Sequence, residues 1–403
     1  MNNSVAGKNV VIPILNRASY SRIKSLISKL EEMPEFSVTL FLGSSLVIPS
    51  FGNGAAYIEK NHEKVKIFKA DTLTSVANPF SYYGICVHSA HIILQFSKFL
   101  EENSFHFGIV LADRYETLPI AMVLSYFGVP IVHMQGGEVT ENIDDRIRHA
   151  VTKLSDYHFT STKLSKLYLE EMGEHPNKVF NFGCPSLDVI HEANIKRSKI
   201  FSKDYICIFH PLTSRLESLY EQTLIVLDSC IKFYSEKKYR CYWYYPNPDP
   251  GRSKITDLID EYITRHPYVF TKAVNEEPEE FLLTLSKARF IIGNSSSLMR
   301  EAGFLGVPAI NLGDRQGLRE RGLNVFDCKI EKSEIVLAMK YQSSFFHYQK
   351  SKTYGDGRSS LKIAKQLAKI DFVKKGTLTY PYWEKYRHEH FGERRFRNNV
   401  GNK

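Results

Sequence analysis

The stretch Gly293-Asn-Ser-Ser-Ser-Leu-Met-Arg-Glu301, continuing through Phe304-Leu-Gly-Val-Pro-Ala-Ile-Asn-Leu-Gly313, reads as a strand end, a tight turn, a helix and a second strand. The apolar run Ala288 to Ile292 supplies the first strand, and Gly293 lets the chain turn sharply. Asn294 to Ser297 then bring hydroxyls and free backbone N–H groups to the N-terminus of the next helix, where the macrodipole favours an anion. A phosphate fits there. Glu301, one turn into that helix, offers a carboxylate that can accept hydrogen bonds from a vicinal diol such as a ribose, so the two features together describe a nucleotide handle. The same residues also read as an ordinary helix start, with Ser295 or Ser296 as N-cap and Glu301 as a solvated first-turn acid.

Outward from this stretch, apolar β-rich runs alternate with helical patterns along the chain. Strands are expected at Asn9–Leu15, Ser37–Gly43, Phe107–Ala112, Pro130–Met134, Tyr157–Thr160, Val179–Phe182, Tyr205–Phe209, Arg240–Tyr245, Tyr268–Lys272, Arg289–Ile292 and Ala309–Leu312. Amphipathic stretches such as Tyr20–Leu30, Ser89–Glu102, Glu116–Phe127, Arg146–Leu154 and Thr213–Tyr234 separate them. This alternation predicts an α/β fold with parallel sheets. A polar, basic connection at His191–Asp204 divides two such series. The expected organisation is an N-terminal Rossmann-like domain over 1–190, a C-terminal Rossmann-like domain over 204–375, and a C-terminal segment with a basic tail over 376–403. Two such domains face each other across a cleft, and ligands bind beyond the carboxyl ends of the strands.

Composition narrows the function classes. A chain of 403 residues exceeds one ordinary core, and 43% hydrophobic residues with 13% aromatic ones argue against disorder. No apolar run approaches the roughly 20 residues of a membrane span, and the first residues lack an export pattern, so a cytoplasmic protein with no integral membrane segment is expected. The six cysteines are scattered without metal-ligand spacing and read as reduced core thiols; no metal and no cofactor are expected. The net charge of +9 is dispersed and no nucleic-acid-binding pattern accompanies it, which excludes nucleic acid as a partner. The tail from Glu384 onward is locally basic and reads as a solvated or partner-binding extension.

Charged groups just after strands are the candidates for chemistry. Asp113-Arg114 follows one strand, Gln135-Gly-Gly-Glu138 the next, and Asn142-Ile-Asp-Asp-Arg-Ile-Arg-His149 opens the following helix. Asp113, Glu138 and the Asp144/Asp145 pair converge with Arg114 on one rim, and carboxylates gathered in a cleft can be tuned apart as acid and base. The structural alternative pairs Asp144 with Arg148 and Asp145 with His149 at i, i+4 spacing. Gly136-Gly137 reads either as a phosphate loop or as a turn needing positive φ. His210 closes the first strand of the second series, Tyr245-Pro-Asn247 the next, and Arg315 and Arg319 bring cations suited to a diphosphate.

The joint order of these motifs, with Asn16-Arg-Ala-Ser-Tyr-Ser21, Gly183-Cys-Pro-Ser186, His210-Pro-Leu-Thr213 and Gly306-Val-Pro-Ala-Ile-Asn-Leu-Gly-Asp-Arg315, resembles the UDP-N-acetylglucosamine 2-epimerase family. The likeness is to its hydrolysing branch, which makes precursors of sialic and legionaminic acids, and it spans roughly residues 8–375. The resemblance implies a glycosyltransferase-B-like fold, a UDP-sugar substrate, and a homo-oligomer, dimer or tetramer. It also implies a C-terminal helix crossing back to the first domain. By the same resemblance Arg17, Ser21 and Arg114 contact the phosphates or sugar; His210, Asn247, Ser295, Ser296, Glu301 and Arg315 hold UDP; and Asp113 and Asp144 are acid/base candidates. The implied reaction is anti elimination of UDP through abstraction of the C2 proton, then hydration of the glycal. The rival substrate is UDP-2,4-diacetamido-2,4,6-trideoxyglucose, and the rival activity is glycosyl transfer on the same fold.

Three departures from the family pattern stand out. Leu111-Ala112 replaces His-Gly before the Asp-Arg pair, Gly43-Ser-Ser-Leu46 lacks the usual His, and Gln135 stands where a carboxylate is common. An amide cannot abstract a proton. Three readings follow: Glu138 takes up the catalytic role, the substrate differs from UDP-N-acetylglucosamine, or catalysis is slow.

Overall fold

The computed structural model describes residues 7–48, 54–71, 81–200, 202–211, 218–246, 251–273 and 277–373. A seven-stranded sheet comprises β1 (Lys8–Ile14), β2 (Phe36–Leu42), β3 (Lys66–Lys69), β4 (Phe107–Leu111), β5 (Ile131–Met134), β6 (Tyr157–Thr160) and β7 (Val179–Asn181), in spatial order 3-2-1-4-5-6-7. A six-stranded sheet comprises β8 (Asp204–Ile208), β9 (Arg240–Tyr244), β10 (Phe270–Ala273), β11 (Ile291–Gly293), β12 (Ala309–Leu312) and β13 (Val325–Cys328), in order 10-9-8-11-12-13. All pairings are parallel. The strand order reverses at β1/β4 and at β8/β11. Two Rossmann-like lobes result, each with its crevice at the carboxyl ends of those strands.

The central strands form because unbroken runs such as Val10-Val-Ile12 have apolar side chains for both faces, and both faces are covered by helices. The two strands that the pattern did not show, β3 and β13, are four-residue edges. Their exposed Lys66, Lys69 and Asp327 leave no apolar run, and charged side chains on an edge discourage pairing with another chain.

The helix Arg17–Glu32 is capped by Asn16, whose side chain accepts from the Ser19 N–H at 2.8 Å. It buries Tyr20, Ile23, Leu26, Ile27 and Leu30 as one stripe. Against that stripe packs the helix Ser359–Lys369, contributing Ile363, Ala364 and Leu367 to the core of the N-terminal lobe. Lys8 closes its C-terminus with bonds to the carbonyls of Leu367 (3.3 Å), Ala368 (2.7 Å) and Ile370 (2.7 Å). Asp188 accepts the Ser359 and Ser360 N–H groups at its start (2.9 and 2.5 Å). The return to the first lobe thus runs through 359–372; the crossing segment and basic tail expected over 376–403 lie outside the described residues. No helix among the described residues is long and apolar enough to cross a membrane.

Candidate active site

Between the lobes lies a cavity of about 550 Å³. Its N-terminal wall receives Arg17, Ser21 and Arg22 from the helix that follows β1, Asp113 and Arg114 from the turn after β4, and Asp144 from the first turn of the helix Ile143–Leu154. The C-terminal wall receives His210 after β8, Ser295, Ser296 and Glu301 after β11, and Arg315 after β12. Of the residues singled out in the sequence, Asn247 lies outside the described residues, and Gln135 and Glu138 are buried away from the cavity wall.

Gly293 carries the sharp turn: its φ is +140°, and a Cβ there would stand 1.9 Å from the Ile208 carbonyl on β8. The next residue, Asn294, does not face the cavity. Its buried side chain accepts from the His210 N–H (2.7 Å) and donates to the His210 carbonyl (2.9 Å), clipping the ends of β8 and β11 together. Its own carbonyl accepts from Arg315 Nη1 (3.1 Å) and Gln316 Nε2 (2.7 Å). The helix after the serines is shorter than expected. A 3₁₀ turn spans Ser296–Leu298, and the α-helix runs only over Glu301–Leu305, so Glu301 opens it rather than sitting one turn in. Glu301 is half-buried and accepts from Ser186 Oγ at 2.7 Å.

Asp113 is reached through Ala112, whose φ of +55° explains why glycine suits that position and why β4 stops at Leu111. The buried His133 steadies this kink, with Nε2 3.0 Å from the Ala112 carbonyl. Burial, and then the neighbouring His158, push the His133 imidazole down to about 3, so it is neutral and donates from Nε2 to that carbonyl. Arg114 is held by the buried Glu116 at 3.2 Å, and Ser44, from the loop where a His is usual, donates to the same carboxylate at 3.3 Å.

At the foot of the cavity, three guanidiniums (Arg148, Arg300, Arg319) pair with three carboxylates (Asp113, Glu138, Asp145), and Arg22 stands near Asp113. Arg148 pairs with both Asp113 and Asp145. Arg300 chelates Glu138 at 2.6 and 2.7 Å and donates to Gln135 Oε1 at 2.9 Å. Arg319 meets Glu138 at 2.8 Å and Asp113 at 3.9 Å. Several expectations change as a result. Glu138 and Gln135 serve the contact between lobes, with the Gln135 amide also donating to Cys184 Sγ at 3.3 Å. Arg319 is spent on these acids rather than on a diphosphate. Asp145 pairs with Arg148 rather than His149 and also caps the Thr140 and Glu141 N–H groups (3.0 and 2.7 Å). Gly137, at φ +78° and with the Ser165 carbonyl 2.1 Å from any Cβ, is a turn glycine rather than part of a phosphate loop.

Electrostatics follow from these contacts. Burial alone would raise the carboxyls of Asp113 and Glu138, but the surrounding guanidiniums outweigh it. Asp113 ends far below the usual carboxylate range, and Glu138 falls to about 2. Arg22 goes the other way: burial and repulsion from Arg300 lower it to about 10 while its Nη2 donates to Ser296 Oγ at 3.1 Å. A cation crowded in this way beside serine hydroxyls is a seat for an anion. Sequence reading passed over Arg22, although a helix opening on Arg17 with no acid in its first turn runs against the macrodipole and could have flagged it. It also passed over the aromatic residues of the wall, among them Tyr57, Tyr82, Tyr115, Tyr244 and Phe281, which only tertiary contact brings together.

Comparisons with known proteins place the chain in a family and match its fold. The family model described as UDP-N-acetylglucosamine 2-epimerase matches residues 62–368. A UDP-N,N'-diacetylbacillosamine 2-epimerase (hydrolyzing) from Legionella pneumophila is 29% identical over 354 residues, covering 85% of this chain and 91% of that one. Polysialic acid biosynthesis protein P7 from Escherichia coli is 30% identical over 340 residues, covering 82% and 84%. The crystal structure of the Methanocaldococcus jannaschii UDP-GlcNAc 2-epimerase in complex with UDP-GlcNAc and UDP superposes with a TM-score of 0.72 at 16% identity, covering 90% of this chain and all (100%) of that one.

Proposed function

Because the chain belongs to the UDP-N-acetylglucosamine 2-epimerase family and is an enzyme of the UDP-sugar 2-epimerase type, we propose that it hydrolyses a UDP-2-acetamido sugar to UDP and the 2-epimerised free sugar. The supporting observation is that Ser295, Ser296 and Glu301 share one cavity with Asp113 and Asp144 on the opposite wall. In this reading the diphosphate lies at Ser295 and Ser296 among Arg17, Arg22 and Arg315, and the ribose lies on Glu301. Arg114, Ser21 and His210 line the path to the sugar.

A base removes the C2 proton, the C1–O bond breaks with its electron pair leaving on UDP, and a C1=C2 double bond forms. Water then adds its hydroxyl to C1 while C2 regains a proton on the other face. Asp113, ionised throughout the working pH range, is the proton acceptor, and Asp144 is the paired acid. The guanidiniums that keep Asp113 ionised also weaken it as a base. Arg22 is one of them, so a diphosphate seated on Arg22 returns basicity to Asp113 only when substrate is bound.

A second sugar is favoured by the wall itself. Tyr82, Ile85, Tyr115, Ile143 and Ile147 give the N-terminal side an apolar, aromatic surface that suits UDP-2,4-diacetamido-2,4,6-trideoxyglucose, whose C6 is a methyl group. Incubating the protein with each UDP-sugar in heavy water, and following UDP release and product by NMR, tests the reading. Product carrying deuterium at C2 is expected. Product without it excludes elimination and hydration and moves the assignment to glycosyl transfer.

The nucleotide handle has its own test. Glu301→Ala removes the expected ribose acceptor and should weaken UDP binding by on the order of 1.5–3 kcal/mol, the range for hydrogen bonds to a charged group. Calorimetric titration with UDP reads this directly, and unchanged affinity in a folded variant would count against the handle.

A further inference from the structure

We infer that Arg319 is a positioning residue for Asp113, a part of the catalytic apparatus of the N-terminal lobe that is supplied by the C-terminal lobe. The inference rests on the functional reading above for the role of Asp113 and on geometry for the role of Arg319.

Two of the three arginines in the loop after β12, Arg315 and Arg319, run in opposite directions. Arg315 points into the cavity. Arg319, four residues on, is 6% exposed and forms no part of the wall; it passes beneath the cavity into the other lobe. Its Nε meets Glu138 Oε2 at 2.8 Å, and its Nη2 lies 3.9 Å from Asp113 Oδ2. The guanidinium is aimed by its own lobe, because Nη1 donates to Gln316 Oε1 while the Gln316 amide donates to the Asn294 carbonyl at 2.7 Å. Asn294 directly precedes Ser295 and Ser296. The serines that would seat the diphosphate and the cation that faces Asp113 are therefore tied to one short loop.

From its own lobe, Asp113 Oδ2 receives Arg148 Nη2, and the Arg22 guanidinium stands close enough to act on the same carboxylate. Arg319 Nη2 approaches the same oxygen, Oδ2, from the C-terminal lobe. Separation of the lobes takes Arg319 away from Asp113, so the carboxylate is fully held only when the cavity is closed. A planar, permanently charged fork suits that task, and a lysine would bring only a point charge.

Arg319→Met keeps the length and apolar stem and removes the charge. Turnover should fall on the order of tenfold to a hundredfold, the scale on which a misplaced reacting group is felt. UDP affinity should stay within about threefold, because the uridine and diphosphate groups do not touch Arg319. In an Asp113→Asn background the same change should cost less than about threefold, since two residues acting as one unit do not add. Losses that multiply in full across the two backgrounds, or UDP affinity that falls in step with turnover, would overturn the inference. Should Arg319→Met not fold, Arg319→Lys gives the same comparison, and a loss that persists undiminished beside Asp113→Asn overturns it equally. Wild-type protein that releases UDP without C2 exchange sinks the elimination reading alone, because the cycle run on UDP release still tests the pair.

Discussion

Asp113→Asn should lower turnover by at least about a hundredfold, the usual scale for removing a general acid or base. Asparagine keeps the size of the side chain and an oxygen for one guanidinium but cannot take a proton. The fold should tolerate it, because Arg148 retains Asp145 and Arg319 retains Glu138. UDP affinity should hold or rise slightly, since one negative charge disappears beside the seat expected for the diphosphate. Steady-state kinetics with parallel UDP titration separate the possibilities. A folded variant with near-normal turnover would refute the assignment, and a change confined to the Michaelis constant would reduce Asp113 to a binding residue.

The second large effect concerns stability. Glu138→Ala leaves Arg300 and Arg319 buried without their shared carboxylate, and breaking a buried pair from one side typically costs about 3–5 kcal/mol. The variant should melt well below wild type. The pH dependence has a definite sign. Glu138 titrates near 2 in the folded protein against an ordinary 4.5, so the unfolded chain binds the proton more readily. The resulting stabilisation, about 3 kcal/mol, is complete above pH 4.5 and lost as pH falls through 2. Glu138→Gln should lose that stabilisation at neutral pH and show a flatter acid limb between those values. A Glu138→Gln protein as stable as wild type but unable to form product would restore the acid/base role that the sequence suggested and remove Glu138 from the lobe contact.

Glu138 also shows what the sequence can and cannot reveal here. Its place after a strand was legible, because the hydrophobic run Ile131–Met134 ends just before it. The direction of its side chain was not: Gln135 at φ +64° and Gly137 at φ +78° swing the segment inward, and no local pattern encodes that turn. Its partner Arg300 lies 162 residues away, and the bond between them is a property of the closed fold. The cavity residues were legible for the opposite reason. Arg17, Asp113, His210, Ser295 and Arg315 each follow a central strand, and the carboxyl ends of a doubly wound sheet are where such folds gather their ligands. Arg22 escaped because it sits in a helix rather than at a strand end. The missing catalytic-type residues at Gly43 to Leu46 and at Gln135 turn out to have structural work: Ser44 supports Glu116 and so Arg114, while Gln135 accepts from Arg300.

The helix Ser359–Lys369 carries a consequence for biosynthesis. It fills the apolar groove of a helix that begins at residue 17, and Lys8 is bonded to carbonyls about 360 positions further along the chain. The first lobe to leave the ribosome therefore cannot complete its interior from its own segment. Contacts this distant in sequence form slowly, and until they do Ile23, Leu26 and Leu30 remain partly uncovered. A nascent chain halted before Ser359 would hold a C-terminal lobe beside an unfinished partner with an open apolar seam, the kind of surface that chaperones bind and proteases cut.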